Sequence, residues 1–144
     1  MISDMGQDSK LVQLSNMWMF SECSKAELSK IGRVADEISV SPSSILCEEG
    51  RPGFEFFFIL EGRCAVKRRG KKVATLGPGQ YFGELSLLDK RPRSATVIAE
   101  TTTSLLVLGQ KEFNSVMADM PRLAHKLLIA MAGRLRASDA KLYN

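Results

Sequence analysis

A single histidine, His125, is all that 144 residues offer toward a metal centre or an imidazole pair, so neither has a second member. Cysteine is scarce too. Cys23, Cys47 and Cys64 are odd in number and lack CxxC spacing, which excludes a disulfide framework and a zinc site and marks them as reduced packing residues. No apolar run nears the ~20 residues that a bilayer span needs; Phe54–Leu60 and Leu127–Ala132 are the richest and are too short. Met1-Ile2-Ser3-Asp4 lacks the basic-then-apolar order of a secretory leader, so the cytoplasm is the expected location.

What is present suits one compact domain over 1–144: 44% hydrophobic and 25% charged residues, close to globular averages. The net charge of +4 is unevenly spread. Arg63, Lys67, Arg68, Arg69, Lys71 and Lys72 crowd one short segment, and Arg122, Lys126, Arg134, Arg136 and Lys141 crowd the last one. Such clusters suit a solvated hairpin tip and a solvated helix face, or a phosphate-bearing partner.

Along the chain, Leu11, Leu14 and Met17/Trp18 recur at helical spacing, and Ser24-Lys25-Ala26-Glu27 is a capping box that starts a second helix through Leu28, Ile31 and Val34. Helices are expected over about 10–35. Alternation then takes over at Ile38 and Val40, Pro42 interrupts, and Ile45-Leu46 resumes before the turn signals Gly50 and Pro52-Gly53. Two β-prone runs flank Glu61-Gly62, a basic turn follows at Arg69-Gly70, and Val73 and Leu76 return. The leucine-rich stretch Tyr81–Leu88 predicts a helix of one or two turns. Arg93–Ala99 and Ser104–Leu108 read as strands, with Ala95, Val97 and Ala99 on one face. Lys111–Met117 suits a short helix, and Pro121, placed as an N1 proline, opens a longer one. On it Ala124, Leu128, Met131, Leu135, Ser138 and Leu142 form an a/d-like seam that fits either a partner helix, as in a homodimer, or the protein's own body. The order gives an α+β domain: a closed antiparallel β-roll or jelly roll of about eight strands over about 36–109, helices before it, and two C-terminal helices over about 110–143.

One stretch carries chemistry. Gly83 permits close backbone approach, and the N-terminus of a short helix offers free N–H groups and a positive dipole end to an anion. Arg93, nine residues after Glu84, adds a guanidinium that can grip phosphate with two N–H groups, while ionised Glu84 only accepts hydrogen bonds and so suits a sugar hydroxyl. Together they ask for a ribose cyclic phosphate. The competing reading makes Glu84 a helix cap and Arg93 its salt-bridge partner.

Phe82-Gly83-Glu84-Leu85-Ser86-Leu87-Leu88, followed by Pro92-Arg93-Ser94-Ala95, resembles the phosphate-binding cassette of the cyclic-nucleotide-binding domain family, at every position of its pattern. Gly50, Gly53, Phe57–Gly62 and Gly77-Pro78-Gly79 also look like that family's glycines and hairpins, so the likeness spans about residues 10–143. It implies a β-roll of the catabolite activator and protein kinase A regulatory subunit kind, binding cyclic AMP ahead of cyclic GMP as a sensor and not as an enzyme, with no cofactor. Gly83, Leu85, Ser86 and Ala95 would form the cassette around the phosphate, Glu84 would meet the ribose 2′-hydroxyl, Arg93 the cyclic phosphate, and Ser94 the phosphate or base. The last helix is similar to that of catabolite activator-type regulators, where Ser138 would supply a hydroxyl to the base. Those regulators carry a helix-turn-helix domain that this sequence does not show. A nucleic-acid-associated regulator of that type is the alternative, with nucleic acid the less expected partner, and an effector domain or protein is the expected recipient of the signal.

Overall fold

The computed structural model describes residues 11–143; the chain's first ten residues and the Leu142 side chain of the seam lie outside what it describes. Residues 11–15 are helical and lead into a 3-10 turn at Trp18–Phe20. Helix α1 (Lys25–Val34) begins where the capping box places it, with Ser24 Oγ accepting from the Glu27 N–H and the Glu27 carboxylate accepting from the Ser24 N–H. Eight strands follow: β1 (Asp36–Val40), β2 (Ile45–Cys47), β3 (Glu55–Glu61), β4 (Cys64–Arg68), β5 (Lys71–Leu76), β6 (Tyr81–Phe82), β7 (Thr96–Ala99) and β8 (Thr103–Gly109). Between β6 and β7 lies α2 (Glu84–Asp89), and after β8 come α3 (Gln110–Asp119) and α4 (Pro121–Tyr143). The strands form two antiparallel four-stranded sheets, ordered β1-β8-β3-β6 and β2-β7-β4-β5. The domain is an α+β β-roll.

Strand β3 explains why its sequence is apolar without a break. Phe57 and Ile59 point between the sheets, into a cluster with Cys47, Cys64, Val97, Leu105 and Val107. Phe56, Phe58 and Leu60 point the other way, onto the helices, where Leu28, Ile31, Phe113, Val116, Leu123 and Leu127 meet them. A strand buried on both faces loses its alternation of apolar and polar residues, and β8 does the same with Leu105/Val107 and Leu106/Leu108. Cys47 and Cys64 are buried and all three thiols are free; burial raises the Cys47 thiol to about 11, so it stays protonated.

Two boundaries differ from the sequence reading. Tyr81-Phe82 is a strand and not the first turn of a helix, because these residues pair with Phe58 and Phe57 of β3. Gly83, at φ 94°, then turns the chain, and the helix starts only at Glu84. Arg93–Ala95 are likewise not strand. The Arg93 backbone bonds instead to the neighbouring loop, its N–H donating to the Arg51 carbonyl and its carbonyl accepting from the Gly50 N–H, and β7 begins at Thr96.

Helix α4 lies on the helical side of the roll with Leu123 and Leu127 inward. Lys126 is buried beside them: its ammonium donates to the Trp18 carbonyl at 2.9 Å and the Ser21 hydroxyl at 2.6 Å and sits 4.5 Å from the centre of the Trp18 ring. The seam faces outward. Leu128, Leu135 and Ser138 are exposed, while Ala124 and Met131 are half-buried.

Candidate functional site

A pocket of about 500 Å³ opens between the sheets, the cassette and α4. Gly83, Glu84, Leu85, Ser86, Arg93, Ser94 and Ala95 all line it, so the structure gathers every cassette residue singled out from sequence around one space. Ser138 is not among its lining residues; it is exposed on α4, one turn beyond Arg134, which is.

Arg93 is 7% exposed, and it is held by neutral groups. Its guanidinium donates to the Gly83 carbonyl at 2.8 Å and the Glu55 carbonyl at 2.7 Å, and among the described residues no carboxylate lies within ion-pair distance of it. Two of five N–H donors are thereby occupied, and a permanent positive charge stays buried without an ion-pair partner among the described residues. Two glycines make room for it. A Cβ on Gly53 would lie 2.0 Å from Arg93 Nε, and one on Gly83 would lie 2.9 Å from Nη1 and 2.7 Å from the Glu55 carbonyl oxygen.

Glu84 is 2% exposed at the start of α2. Its partner is not Arg93, as the salt-bridge reading had it, but Arg134 of α4, whose Nη1 donates to Oε1 at 3.0 Å. Burial raises the Glu84 pKa above the ordinary carboxylate value; its own backbone N–H and the Arg134 charge pull the other way. The Arg134 guanidinium also lies 4.9 Å from the centre of the Tyr81 ring, and the Tyr81 hydroxyl is buried with no hydrogen-bond partner among the described residues. Sequence reasoning missed Arg134 and Tyr81. Arg134 could have been found by extending the inward stripe Leu123, Leu127 and Ala130 at steps of three and four, which lands on it.

The arrangement offers, at one end, a buried cation beside the first turn of α2 and, next to it, a buried carboxylate. An anion joined to a hydroxyl-bearing ring matches that pair of charges. The sequence profile of the cyclic nucleotide-binding domain matches residues 37–120, more than half of the chain. The chain belongs to the cyclic nucleotide-binding domain family. A cyclic nucleotide-gated potassium channel of Mesorhizobium japonicum is 37% identical over 106 residues, covering 74% of this chain and 29% of that protein. The cyclic AMP receptor protein of Thermus thermophilus is 34% identical over 99 residues, covering 65% and 46%. Among solved structures, the catabolite activator protein of Thermus thermophilus superposes with a TM-score of 0.79 at 28% identity, covering 86% of this chain and 61% of that one. The chain thus spans less than half the length of these two curated relatives. The matched residues run from within β1 through α3 and include the whole cassette, whereas Arg134, which also lines the pocket, lies beyond them. No helix among the described residues is long and apolar enough to cross a membrane.

Proposed function

We propose that this domain is a sensor that holds cyclic AMP, and secondarily cyclic GMP, and reports occupancy through its C-terminal helices. The observation that carries the reading is the buried Arg93 guanidinium, charged and without a carboxylate partner among the described residues, at the wall of a pocket whose one lining carboxylate is the buried Glu84. The cyclic phosphate would complete the charge at Arg93 and take N–H groups of Gly83–Ser86, with Ala95 closing the cassette and Ser94 beside the phosphate. The ribose 2′-hydroxyl would donate to Glu84 and so compete with Arg134. Freed from Glu84, Arg134 would let α4 settle over the base, and a closer helix would bring Ser138, one turn further on, toward it. A ligand shifts the helix only by binding one arrangement better than the other, and the contest for Glu84 supplies that difference.

On this reading the pocket binds without chemistry, needs no cofactor, and acts inside the cell. Its lining includes no histidine and no second carboxylate to work as an acid–base pair. The exposed seam of α4 would meet a second copy of the chain or an effector.

Calorimetry with cyclic AMP, cyclic GMP and AMP tests the reading. Both cyclic nucleotides should bind and AMP much more weakly, because its dianionic, freely rotating phosphate does not match a cassette shaped for a ring. Arg93→Ala should cost roughly 2–5 kcal/mol of binding, the scale of breaking a buried charge pair. A folded Arg93→Ala protein with unchanged affinity would overturn the assignment.

A further inference from the structure

The β4–β5 hairpin closes through a tight turn at Arg69-Gly70, with φ of 53° and 78°. Just below it the two strands set like charges against each other, Lys67 opposite Lys72 and Arg68 opposite Lys71. Cations facing one another across a sheet repel. One of the two pairs is compensated, because Glu100 accepts from the Lys72 ammonium at 2.9 Å. The other is not. Arg68 and Lys71 are both exposed, and neither forms an ion pair with any described residue. Glu49 reaches the turn from the neighbouring loop, but its carboxylate accepts from the Arg69 backbone N–H at 3.0 Å and bonds neither side chain.

The register with β7 fixes where this uncompensated pair stands. Lys67 is opposite Thr96, so Arg68, one residue on, comes level with Ala95 and next to Ser94. Alternation along β4 turns Arg68 to the same face as Val66, and both line the pocket together with Arg93, Ser94 and Ala95. The loop before β3 is stitched to the same corner, its Glu49 N–H donating to the Thr96 hydroxyl and its Gly50 N–H to the Arg93 carbonyl. The cassette end of the pocket therefore adds exposed cations to the buried one. The lining carboxylate, Glu84, is turned to Arg134.

We infer that Arg68 and Lys71 form a capture site for the phosphate of the incoming nucleotide, drawing the anion to the mouth and leaving Arg93 to hold it. This rests on the reading above, which puts the cyclic phosphate at Arg93. Exposed charges in water contribute little to the strength of a finished contact, because solvent and salt screen them and long side chains lose freedom in making it. Their field still acts on an approaching anion, so charges at the rim of a site govern the association rate and its salt dependence. The role is blind to the base.

The test is stopped-flow mixing of cyclic AMP labelled at base carbon 8 with the wild-type, Arg68→Lys, Arg68→Ala and Arg68→Glu proteins, at low and high salt, with unlabelled cyclic GMP as competitor. At low salt Arg68→Ala should slow association about twofold and Arg68→Glu about fivefold, one and two unit charges acting across water, while dissociation stays as in the wild type. Arg68→Lys keeps the charge and should keep the rate. The differences should vanish near 1 M salt, where the screening length falls to about 3 Å, and cyclic GMP should be slowed by the same factors. Arg68→Glu also removes the like-charge pair with Lys71, so it should melt no lower than the wild type even as it binds more slowly. A wild type that binds cyclic nucleotides, with Arg68→Glu leaving association unchanged or acting through dissociation, would overturn the capture role and leave the pocket assignment standing. A wild type that binds neither nucleotide overturns both.

Discussion

Glu84 is a buried carboxylate whose partner, Arg134, is half-exposed. Its pKa is raised in the folded protein, chiefly by burial, so the folded state holds this proton more tightly than the unfolded chain does. The stabilisation from that proton is fully present below the ordinary value of 4.5 and is lost as pH rises through the folded pKa. Glu100 and Asp119 work in the opposite direction, because hydrogen bonds from Lys72 and Lys30 lower their pKa values. Those two are shared with a Glu84→Gln variant and cancel in a comparison. The melting temperature of Glu84→Gln relative to wild type should therefore climb as pH is raised from about 4.5 toward neutral. A difference that stays flat across that range would mean that the carboxylate is not held at a cost. The same substitution should weaken cyclic nucleotide binding, so stability and affinity move in opposite directions at one residue.

At the scale of elements, α4 divides into two parts. Leu123, Lys126 and Leu127 fix its first half to the roll and to the Trp18–Phe20 turn, whereas residues 132–139 are exposed and Arg134 ties them down through Glu84. Gly133, with nothing within 4 Å of its Cβ position, stands where the parts meet and weakens the helix there. Amide exchange should accordingly show saturating cyclic AMP changing protection over 130–143 and leaving 121–129 as before. Identical protection throughout, with and without ligand, would exclude α4 as the reporting element. This division was not legible in the sequence. The stripe Ala124, Leu128, Met131, Leu135 and the stripe Leu123, Leu127, Ala130, Arg134 are offset by one residue and equally helical, and only the body against which α4 packs decides which faces inward. The cassette was legible because its residues are consecutive and its chemistry is local. Tyr81-Phe82 was misread for the reverse reason: their strand exists through pairing with Phe57 and Phe58, more than twenty positions earlier.

For the whole molecule, the outward seam is the largest commitment left open by the fold. Leu128 and Leu135, at 62% and 65% exposure, stand two turns apart on one face of α4 with Met131 half-buried between them. Two such faces can close on each other as an isologous pair. Sedimentation should show a concentration-dependent dimer that Leu128→Glu together with Leu135→Glu abolishes, without loss of nucleotide binding. A wild type that stays monomeric at high concentration would assign the seam to a different protein.

The grip of Lys126 on Trp18 has a practical side. Trp18 is the only tryptophan in the chain, and its half-exposed indole lies under an ammonium carried by α4. Indole emission responds to a neighbouring charge and to water, so the wavelength and yield of this one fluorophore depend on where the first half of α4 stands. The domain thus carries its own optical gauge on the end of the helix remote from Arg134, one that needs no label and reads the anchored half while amide exchange reads the other.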